Sequence, residues 1–216
     1  MRKVSLHWVP YEFTNDIRRK RVAGAQELCR VLQNEQENDF KYMVTGDESW
    51  FYCININDSM WLEKGTEPPT KSRQKIGVEK VIISVFWNTT RVWLIDQLPE
   101  KTTLNVEYYI DNVLQRFDYL LDPDSNLEPG SMTLHVDNAP VHRCQKVKAW
   151  VSGSLFTESK HPPYSPDLAP SDYFLFGYIK HKLKEFVADD KEHLFNYIQK
   201  ICDRISPSVL RSSWTH

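Results

Sequence analysis

One short apolar run constrains the fold of this chain more than any other feature. Residues 81–87 read Val-Ile-Ile-Ser-Val-Phe-Trp, a pattern that indicates a β-strand buried on both faces. Residues 91–95 follow the short link Asn-Thr-Thr and are predicted to be its hairpin partner. A strand covered on both faces needs helices on both sides of its sheet, so the sequence indicates an α/β fold.

The rest of the chain supplies strands first and helices later. Residues 40–56 are predicted to form two short strands with a turn near residues 46–49. Thr14 can cap a helix that ends near residues 33–38, and Asn105 can cap a second helix. The pattern then predicts a strand at 132–136, a short helix near 147–151, a strand near 155–157 and a last long helix from Ser171. This order predicts a mixed sheet flanked by helices.

Composition indicates the number of domains and bears on the class of function. With 216 residues and 41% hydrophobic content, the chain can bury one substantial core, so a single domain is expected. The 27 basic and 29 acidic residues nearly balance, which does not by itself indicate nucleic-acid binding. The sequence has no secretory signal pattern, no membrane-span pattern and no cysteine spacing typical of a metal site. We therefore expect a soluble, intracellular protein with reduced thiols.

Three aspartates lie where a folded sheet would present them at the edge of its core. Asp47 and Asp137 follow short apolar runs that are predicted as strands, and Asp172 stands at the predicted start of a helix. Such carboxylates are suited to phosphoryl transfer with two metals, because Mg²⁺ prefers oxygen ligands and takes few of them from protein. Asp47 is the candidate for a bridge between two ions, with Asp137 and Asp172 each completing one side.

Each aspartate also has a purely structural explanation. Asp47 can be a turn residue after Gly46. Asp137 can form a turn with its own backbone before Asn-Ala-Pro. Asp172 can be stabilised by the helix dipole alone, with Ser171 as the cap.

Four other polar residues compete for the site or could support it. Glu48 is expected to point to the opposite face of the strand from Asp47, because side chains alternate along a strand. Asp167 lies among prolines and could cap a local turn. Asn138 is a candidate for orienting a ligand or a phosphate from behind the aspartates. His142 is a weaker candidate for the same layer, since a lone histidine is more often a hydrogen-bonding residue of the surface or the core.

The same residues resemble a known family. The three acidic blocks are residues 44–50 (Val-Thr-Gly-Asp-Glu-Ser-Trp), 135–142 (His-Val-Asp-Asn-Ala-Pro-Val-His) and 161–176 (His-Pro-Pro-Tyr-Ser-Pro-Asp-Leu-Ala-Pro-Ser-Asp-Tyr-Phe-Leu-Phe). They look like the three catalytic blocks of mariner-type transposases of the Tc1/mariner superfamily, with 34 residues between the last two aspartates. Residues 8–14 (Trp-Val-Pro-Tyr-Glu-Phe-Thr) are similar to the linker that precedes the catalytic domain in that family.

The resemblance implies a fold, a chemistry and partners. It implies a ribonuclease-H-like mixed sheet flanked by helices, with Asp47, Asp137 and Asp172 as the catalytic and metal-binding residues. The implied cofactor is Mg²⁺, with Mn²⁺ as a substitute. The implied reaction is DNA cleavage at transposon ends and strand transfer to target DNA by a nuclear homodimer. The family also carries paired helix-turn-helix modules ahead of the linker, which would explain a catalytic part that is not strongly basic.

The resemblance also divides the chain. Residues 1–15 would be the interdomain linker segment, and residues 16–216 the catalytic domain with an inserted clamp-type loop at about 57–80. The aromatic residues Trp8 and Phe13 would contact a partner subunit. The loop is polar and basic, and Lys71, Arg73 and Lys75 could reach DNA phosphates.

Some positions depart from the family pattern. Tyr11 stands where the family usually has His, Phe13 where it has Leu, and Val136 is inserted between the His and the Asp of the second block. The carboxyl end is expected to be shorter than the closing helices of the family, which leaves the activity of this copy open. None of these departures removes a carboxylate.

Two other functions stay possible at this stage. The first is a nuclease of the same fold that cleaves RNA in RNA–DNA hybrids and acts without partner subunits. The second is a catalytically dead transposase domain that serves as a DNA-associated interaction module. The loss of an acid would have favoured the second, but all three aspartates are present.

Overall fold

A five-stranded sheet forms the centre of the molecule. The computed structural model describes residues 13–55, 79–121 and 127–215. The strands are β1 (Met43–Tyr52), β2 (Lys80–Trp87), β3 (Val92–Gln97), β4 (Met132–His135) and β5 (Phe156–Glu158). They lie in the order β3-β2-β1-β4-β5, so the central strand is β1. Its pairing with β2 is antiparallel and its pairing with β4 is parallel, which confirms the predicted mixed sheet.

Helices cover both faces of this sheet. They are α1 (Asn15–Glu35), α2 (Val106–Tyr108), α3 (Gln115–Leu121), α4 (Gln145–Ser152), α5 (Phe176–Lys182), α6 (Lys191–Asp203) and α7 (Pro207–Trp214). The predicted caps are confirmed, since Thr14 accepts from the Ile17 amide and Asn105 accepts from the Tyr108 amide. Two π-helical stretches interrupt the regular geometry: Tyr109–Leu114 joins α2 to α3, and Ser171–Leu175 leads into α5.

Two hydrophobic cores lie on opposite faces of the sheet, because side chains alternate along β1. Met43 and Phe51 point into a core that is shared with α1, α5, α6 and α7. Val44 points into a second core, with Phe86, that is shared with α2, α3 and α4. Neighbouring residues of β1 therefore serve different layers of the molecule.

The predicted turn within residues 40–56 is wrong, because β1 is one unbroken strand through Gly46. The glycine is needed for close packing: a Cβ at this position would lie 2.3 Å from Cε1 of Phe86, far inside contact distance. The missing side chain lets the Phe86 ring pack directly on the β1 backbone. Asp47 is thus held inside a strand and does not lie at a strand end.

The predicted last long helix is also wrong in extent. The helix that begins after Ser171 ends at Lys182, and two further helices follow. In α6, the side chains of Leu194, Ile198 and Cys202 recur at helical spacing and are buried in the core of the C-terminal helices. Leu210 anchors α7 in the same core.

Several predicted features lie outside the described residues. These are most of the linker segment and the clamp-type loop, including Trp8, Lys71, Arg73 and Lys75. Phe13 is described and half-buried. Among the described helices, none combines the length and the apolarity needed to cross a membrane.

Candidate active site

The three aspartates come from neighbouring parts of the sheet and its edge. Asp47 lies inside β1, and Asp137 lies two residues beyond the end of β4. The parallel pairing of β1 with β4 ends at Thr45 and His135, so both aspartates lie two residues further along adjacent strands. Asp172 lies in the π-helical turn before α5. π-helical turns of this kind occur often at functional sites.

The carboxylates lie close enough to shift one another's pKa values. Burial, followed by the charges of Asp172 and Glu48, raises the pKa of Asp47 to about 8. Burial and the charge of Asp137 raise the pKa of Asp172 above its ordinary value. Like charges held together in this way favour a bound proton or cation. The structure thus brings the three predicted acids into one electrostatic cluster.

Asp137 differs from the other two because two donors hold one of its oxygens. Its Oδ1 accepts hydrogen bonds from the Ala139 amide at 2.8 Å and from His142 Nδ1 at 2.7 Å. The first bond is the local turn that the sequence also allows. Burial acts to raise the pKa of Asp137, but the hydrogen bonds from His142 and Ala139 outweigh it and the pKa is lowered. Asp137 therefore remains ionised beside its two neighbours.

His142 is buried between two acids. Its side chain is 1% exposed, and its Nε2 lies 3.6 Å from Glu48 Oε2, an ion-pair contact too long for a hydrogen bond. Burial acts to lower the pKa of His142, but the contacts with Asp137 and Glu48 outweigh it and raise the pKa to about 10. The ring is therefore protonated at neutral pH. Glu48 lies in this second layer, away from Asp47, as strand alternation requires.

The turn that carries Asp172 is fixed from inside the sheet. The buried Trp87 Nε1 donates a hydrogen bond to Ser171 Oγ at 3.1 Å. Ser171 is therefore an acceptor in the core and not the predicted helix cap, and no side-chain cap is present at this turn. The Asp172 amide donates to Ala169 O at 2.9 Å. These bonds fix the backbone on both sides of the carboxylate.

The last helix supports the same turn. Tyr173, which follows Asp172, donates from its hydroxyl to Ser213 O in α7 at 2.9 Å. Trp214 packs edge-on against Trp87 with 5.7 Å between the ring centroids. The third aspartate is thus supported by residues near the opposite end of the chain from the linker.

Lys180 places a positive charge near two of the acids. It lies on α5, and its Nζ donates to Ser49 Oγ in β1 at 2.8 Å. Burial lowers the pKa of Lys180, while the charges of Asp172 and Asp47 act in the opposite direction. The lysine therefore offsets part of the negative charge on this side of the cluster.

A histidine network holds the proline-rich segment that leads to Asp172. His135 bonds to Ser159 Oγ at 2.7 Å and to Leu168 O at 3.2 Å, and His161 Nδ1 lies 3.2 Å from His135 Nε2. Burial, with the neighbouring His161, lowers the pKa of His135 to about 4, so this network is neutral. Asn138 donates to His161 O at 2.9 Å and so ties the segment to the residue after Asp137.

A groove of about 1100 Å³ passes two of the three acids. Its lining includes the acids Asp137 and Asp172 together with the basic residues Lys20, Arg21 and Arg143. A groove lined by both acids and basic residues can hold a polyanion beside a metal-binding site.

Arg21 organises one end of this groove. It donates to Asp167 Oδ2 at 2.9 Å and to Tyr164 O at 2.5 Å. Its guanidinium lies 4.9 Å from the centre of the Phe13 ring. Asp167 is therefore engaged in an ion pair with α1, and Phe13 packs against its own chain.

The acidic cluster provides the right donors for a hard divalent cation but not a complete cage. Across residues 13–55, 79–121 and 127–215, no group of three His, Cys, Asp or Glu side chains could hold an ion by itself. Mg²⁺ in phosphoryl-transfer sites takes one or two carboxylates and completes its coordination with water and phosphate oxygens. The donors of Asp47, Asp137 and Asp172 fit a site of that kind.

Comparison with known proteins assigns the family. Residues 42–195 match the model of the DDE superfamily endonucleases, a span that includes all three aspartates. The chain belongs to the DDE superfamily endonucleases. The span also covers Glu48, His142 and Lys180.

Two relatives of this endonuclease chain are known by sequence. Histone-lysine N-methyltransferase SETMAR of Homo sapiens is 29% identical over 181 residues, which are 82% of this chain and 26% of SETMAR. The mariner Mos1 transposase of Drosophila mauritiana is 25% identical over 202 residues, which are 89% of this chain and 56% of that protein. The chain thus spans about a quarter of the first relative and just over half of the second.

Solved structures show the same fold. The Mos1 strand transfer complex and the Mos1 paired-end complex with Mn both superpose with a TM-score of 0.86 at 24% identity. They match the whole of this chain and 62% and 63% of the other chains. These comparisons confirm the ribonuclease-H-like fold and the resemblance to mariner-type transposases.

Four residues of the candidate site were missed by the sequence interpretation. Arg143 and Lys180 carried a weak signal: Arg143 directly follows the second acidic block, and Lys180 lies two helical turns after Asp172. His161 stands at the start of the third block, but its pairing with a strand residue has no local signature. Trp87 is 84 residues from its partner Ser171, and no local pattern could pair them.

Proposed function

We propose that this chain carries the catalytic domain of a mariner-type DNA transposase. It cleaves DNA at transposon ends and joins the freed 3′-hydroxyl to target DNA, with Mg²⁺ as cofactor and Mn²⁺ as a substitute. The observation that carries the proposal is the cluster of three carboxylates, in which the pKa of Asp47 reaches about 8 through burial and the neighbouring acids. Such a cluster at a groove is suited to metal-assisted phosphodiester chemistry.

The proposed roles of the acids follow from their positions. Asp47 would be the ligand shared by two ions, because its carboxylate is the one whose pKa responds to both Asp172 and Asp137. Asp137 and Asp172 would each complete the protein ligands of one of the two ions. Divalent ions bound there would supply Lewis acidity for water and then the 3′-hydroxyl to attack phosphorus, so no histidine base is required. Lys180, held against β1, balances charge beside Asp47 and Asp172.

The groove supplies the proposed DNA path. Lys20, Arg21 and Arg143 line it together with two of the acids. Contacts from such residues to phosphates position a duplex without reading its sequence. The near-neutral charge of the chain is compatible with this role, because only the wall of the groove needs to be basic.

The Mos1 structures support the proposed partners. One is a strand transfer complex, and another is a paired-end complex with Mn. By analogy, we expect this chain to act as a homodimer on transposon ends and target DNA, in the nucleus. The linker segment with Trp8 and Phe13, and the basic loop with Lys71, Arg73 and Lys75, are the proposed contacts to the partner subunit and to DNA. Deletion of residues 64–75 should then weaken dimerisation and lower the average molar mass measured by light scattering.

The metal site can be tested without knowing the transposon ends. Crystals soaked in Mn²⁺ should give anomalous density between Asp47, Asp137 and Asp172. Density elsewhere only, with none at this cluster, would contradict the proposed site. Asp111→Asn is the control variant, and its crystals should give the same density. Asp111 is exposed on the helical stretch between α2 and α3, outside the acidic cluster.

The substrate can be tested with three nucleic acids. Purified protein with Mn²⁺ should nick supercoiled DNA and should cleave duplex DNA in preference to an RNA–DNA hybrid. Preferential cleavage of the hybrid would favour the ribonuclease alternative. Metal binding without any cleavage of DNA or hybrid would favour the non-catalytic interaction module.

A further inference from the structure

A small polar group is buried on the face of the sheet opposite Asp47. It consists of Glu48 on β1, His142 in the segment after β4, and Tyr109 at the start of the π-helical stretch. The His142 side chain is 1% exposed and the Glu48 side chain 14% exposed. The rings of Tyr109 and His142 pack with 4.8 Å between their centres. The surrounding core, with Val44 and its neighbours, is otherwise largely apolar.

This group is unfavourable for folding alone. Among the described residues, Glu48 Oε1, His142 Nε2 and the Tyr109 hydroxyl are buried and have no hydrogen-bond partner. A buried polar atom without a partner destabilises the folded state, and buried ion pairs are often replaced by apolar residues without loss of stability. A purely structural core would therefore gain from apolar side chains at positions 48 and 142. The presence of an acid and a histidine there calls for another explanation.

The contacts of His142 point toward Asp137. Its Nδ1 donates to Asp137 Oδ1 at 2.7 Å, and the Ala139 amide donates to the same oxygen at 2.8 Å. Two donors on one carboxylate oxygen fix the plane of the carboxylate. Oδ2 takes part in neither bond, and Asp137 lines the groove, so this oxygen is available to a ligand there. The orientation of a metal-binding carboxylate is commonly set by bonds of this kind.

Glu48 holds the other end of the ring. Its Oε2 lies 3.6 Å from His142 Nε2, so the imidazole is placed between two carboxylates. Because β1 alternates, Asp47 and Glu48 lie on opposite faces of the same strand. A shift of β1 would move both residues together.

We propose that His142 and Glu48 are positioning residues that orient the carboxylate of Asp137 for metal binding. The inference rests on the proposed function, in which Asp137 is a metal ligand. The dipeptide Asp47–Glu48 then serves the site twice: Asp47 directly, and Glu48 through His142. A rigid strand thereby sets the relative placement of the first two acids.

Two variants of similar size test the roles of the two ring nitrogens of His142 separately. His142→Asn places an amide nitrogen near the position of Nδ1, so it keeps the bond to Asp137 and loses the contact with Glu48. His142→Gln places its nitrogen near Nε2 and does the reverse. The readout is Mn²⁺ affinity of the full 216-residue chain without DNA, measured by electron paramagnetic resonance of free Mn²⁺ and by calorimetry.

The variants are expected to differ in how strongly they weaken Mn²⁺ binding. His142→Gln weakens Mn²⁺ binding by about tenfold or more, the usual effect of losing such a bond. His142→Asn and Glu48→Gln each weaken binding by about threefold, because both keep the bond to Asp137 and lose the contact between the ring and Glu48. Glu48→Gln added to His142→Asn has no further effect, because Glu48 acts only through the ring. Tyr109→Phe is the control and leaves Mn²⁺ affinity unchanged.

The failures of the two proposals can be told apart with Asp137→Asn. If that variant binds Mn²⁺ as the wild type does, the proposed metal site is wrong. If Asp137→Asn loses binding while His142→Gln and Glu48→Gln keep it, the metal site stands and the positioning role is overturned. Equal loss in His142→Asn and His142→Gln, at unchanged melting temperature, would also overturn it. Should both histidine variants fail to fold, Glu48→Gln alone decides the outcome.

Discussion

Removal of the Asp47 charge should stabilise the metal-free protein, and the gain should grow with pH. The pKa of Asp47 is about 8 in the folded chain, and its ordinary value is 3.8. Between these two values the folded state holds a proton that the unfolded chain releases. Stability therefore falls as pH rises through this window, and Asp47→Asn removes that fall.

The size of the effect follows from one proton per molecule. Full linkage gives a slope of about 1.4 kcal/mol per pH unit, or about 2.7 kcal/mol between pH 5 and pH 7. Asp47 retains some contact with solvent, which weakens the effect, so about half of this value is a realistic expectation. The advantage of Asp47→Asn over the wild type should thus increase by about 1–3 kcal/mol over these two pH units.

Urea unfolding in the presence of a chelator measures this difference directly. Asp111→Asn, at an exposed helical position outside the acidic cluster, is the control substitution. Added Mn²⁺ should stabilise the wild type more at pH 7 than at pH 5, and Asp47→Asn much less at either pH. A stability difference between Asp47→Asn and the wild type that is constant from pH 5 to pH 7 would refute the reasoning.

Three further substitutions test other parts of the site. Asp172→Asn should lower DNA cleavage by orders of magnitude with a stability change of at most about 1 kcal/mol, and a variant that unfolds would show the residue to be structural. Ser171→Ala should lower the free energy of unfolding in urea by about 1–3 kcal/mol, because it leaves the buried indole N–H of Trp87 without an acceptor. An unchanged free energy of unfolding would show that this hydrogen bond does not stabilise the fold. Gly46→Ala should cost about 1–3 kcal/mol, because the new Cβ would overlap the Phe86 ring. Gly177→Ala is its control, since that helical glycine faces open space and alanine there should stabilise by about 0.5–1 kcal/mol in the same assay.

The local patterns of the sequence were sufficient for most of the fold. The apolar run at β2 and the caps at Thr14 and Asn105 predicted a strand and two helices, because their signals are carried by neighbouring residues. The turn at Gly46 was wrong because the glycine serves contact with Phe86, a residue of another strand. A glycine in a sequence indicates freedom of the backbone, but it does not say whether that freedom is used for a turn or for packing.

The candidate site, like the fold, could be predicted from the sequence only in part. The three aspartates could be proposed from their contexts, because each lies in or next to a segment whose pattern indicates a strand or a helix start. The burial of His142 between Asp137 and Glu48 could not, because it depends on the parallel pairing of β1 with β4. Such pairings join distant parts of the chain and leave no periodic trace in either part.

The support of the Asp172 turn by α7 has a consequence for protein synthesis. Tyr173 bonds to Ser213, and Trp214 packs on Trp87, so the turn is complete only when residues 207–214 are in place. On the ribosome, the first two aspartates can fold into the sheet well before this last helix has emerged. The third would stay loosely held until then. The full acidic site would thus form only after residues 207–214 have been translated, and chains that end before these residues would carry an incomplete one.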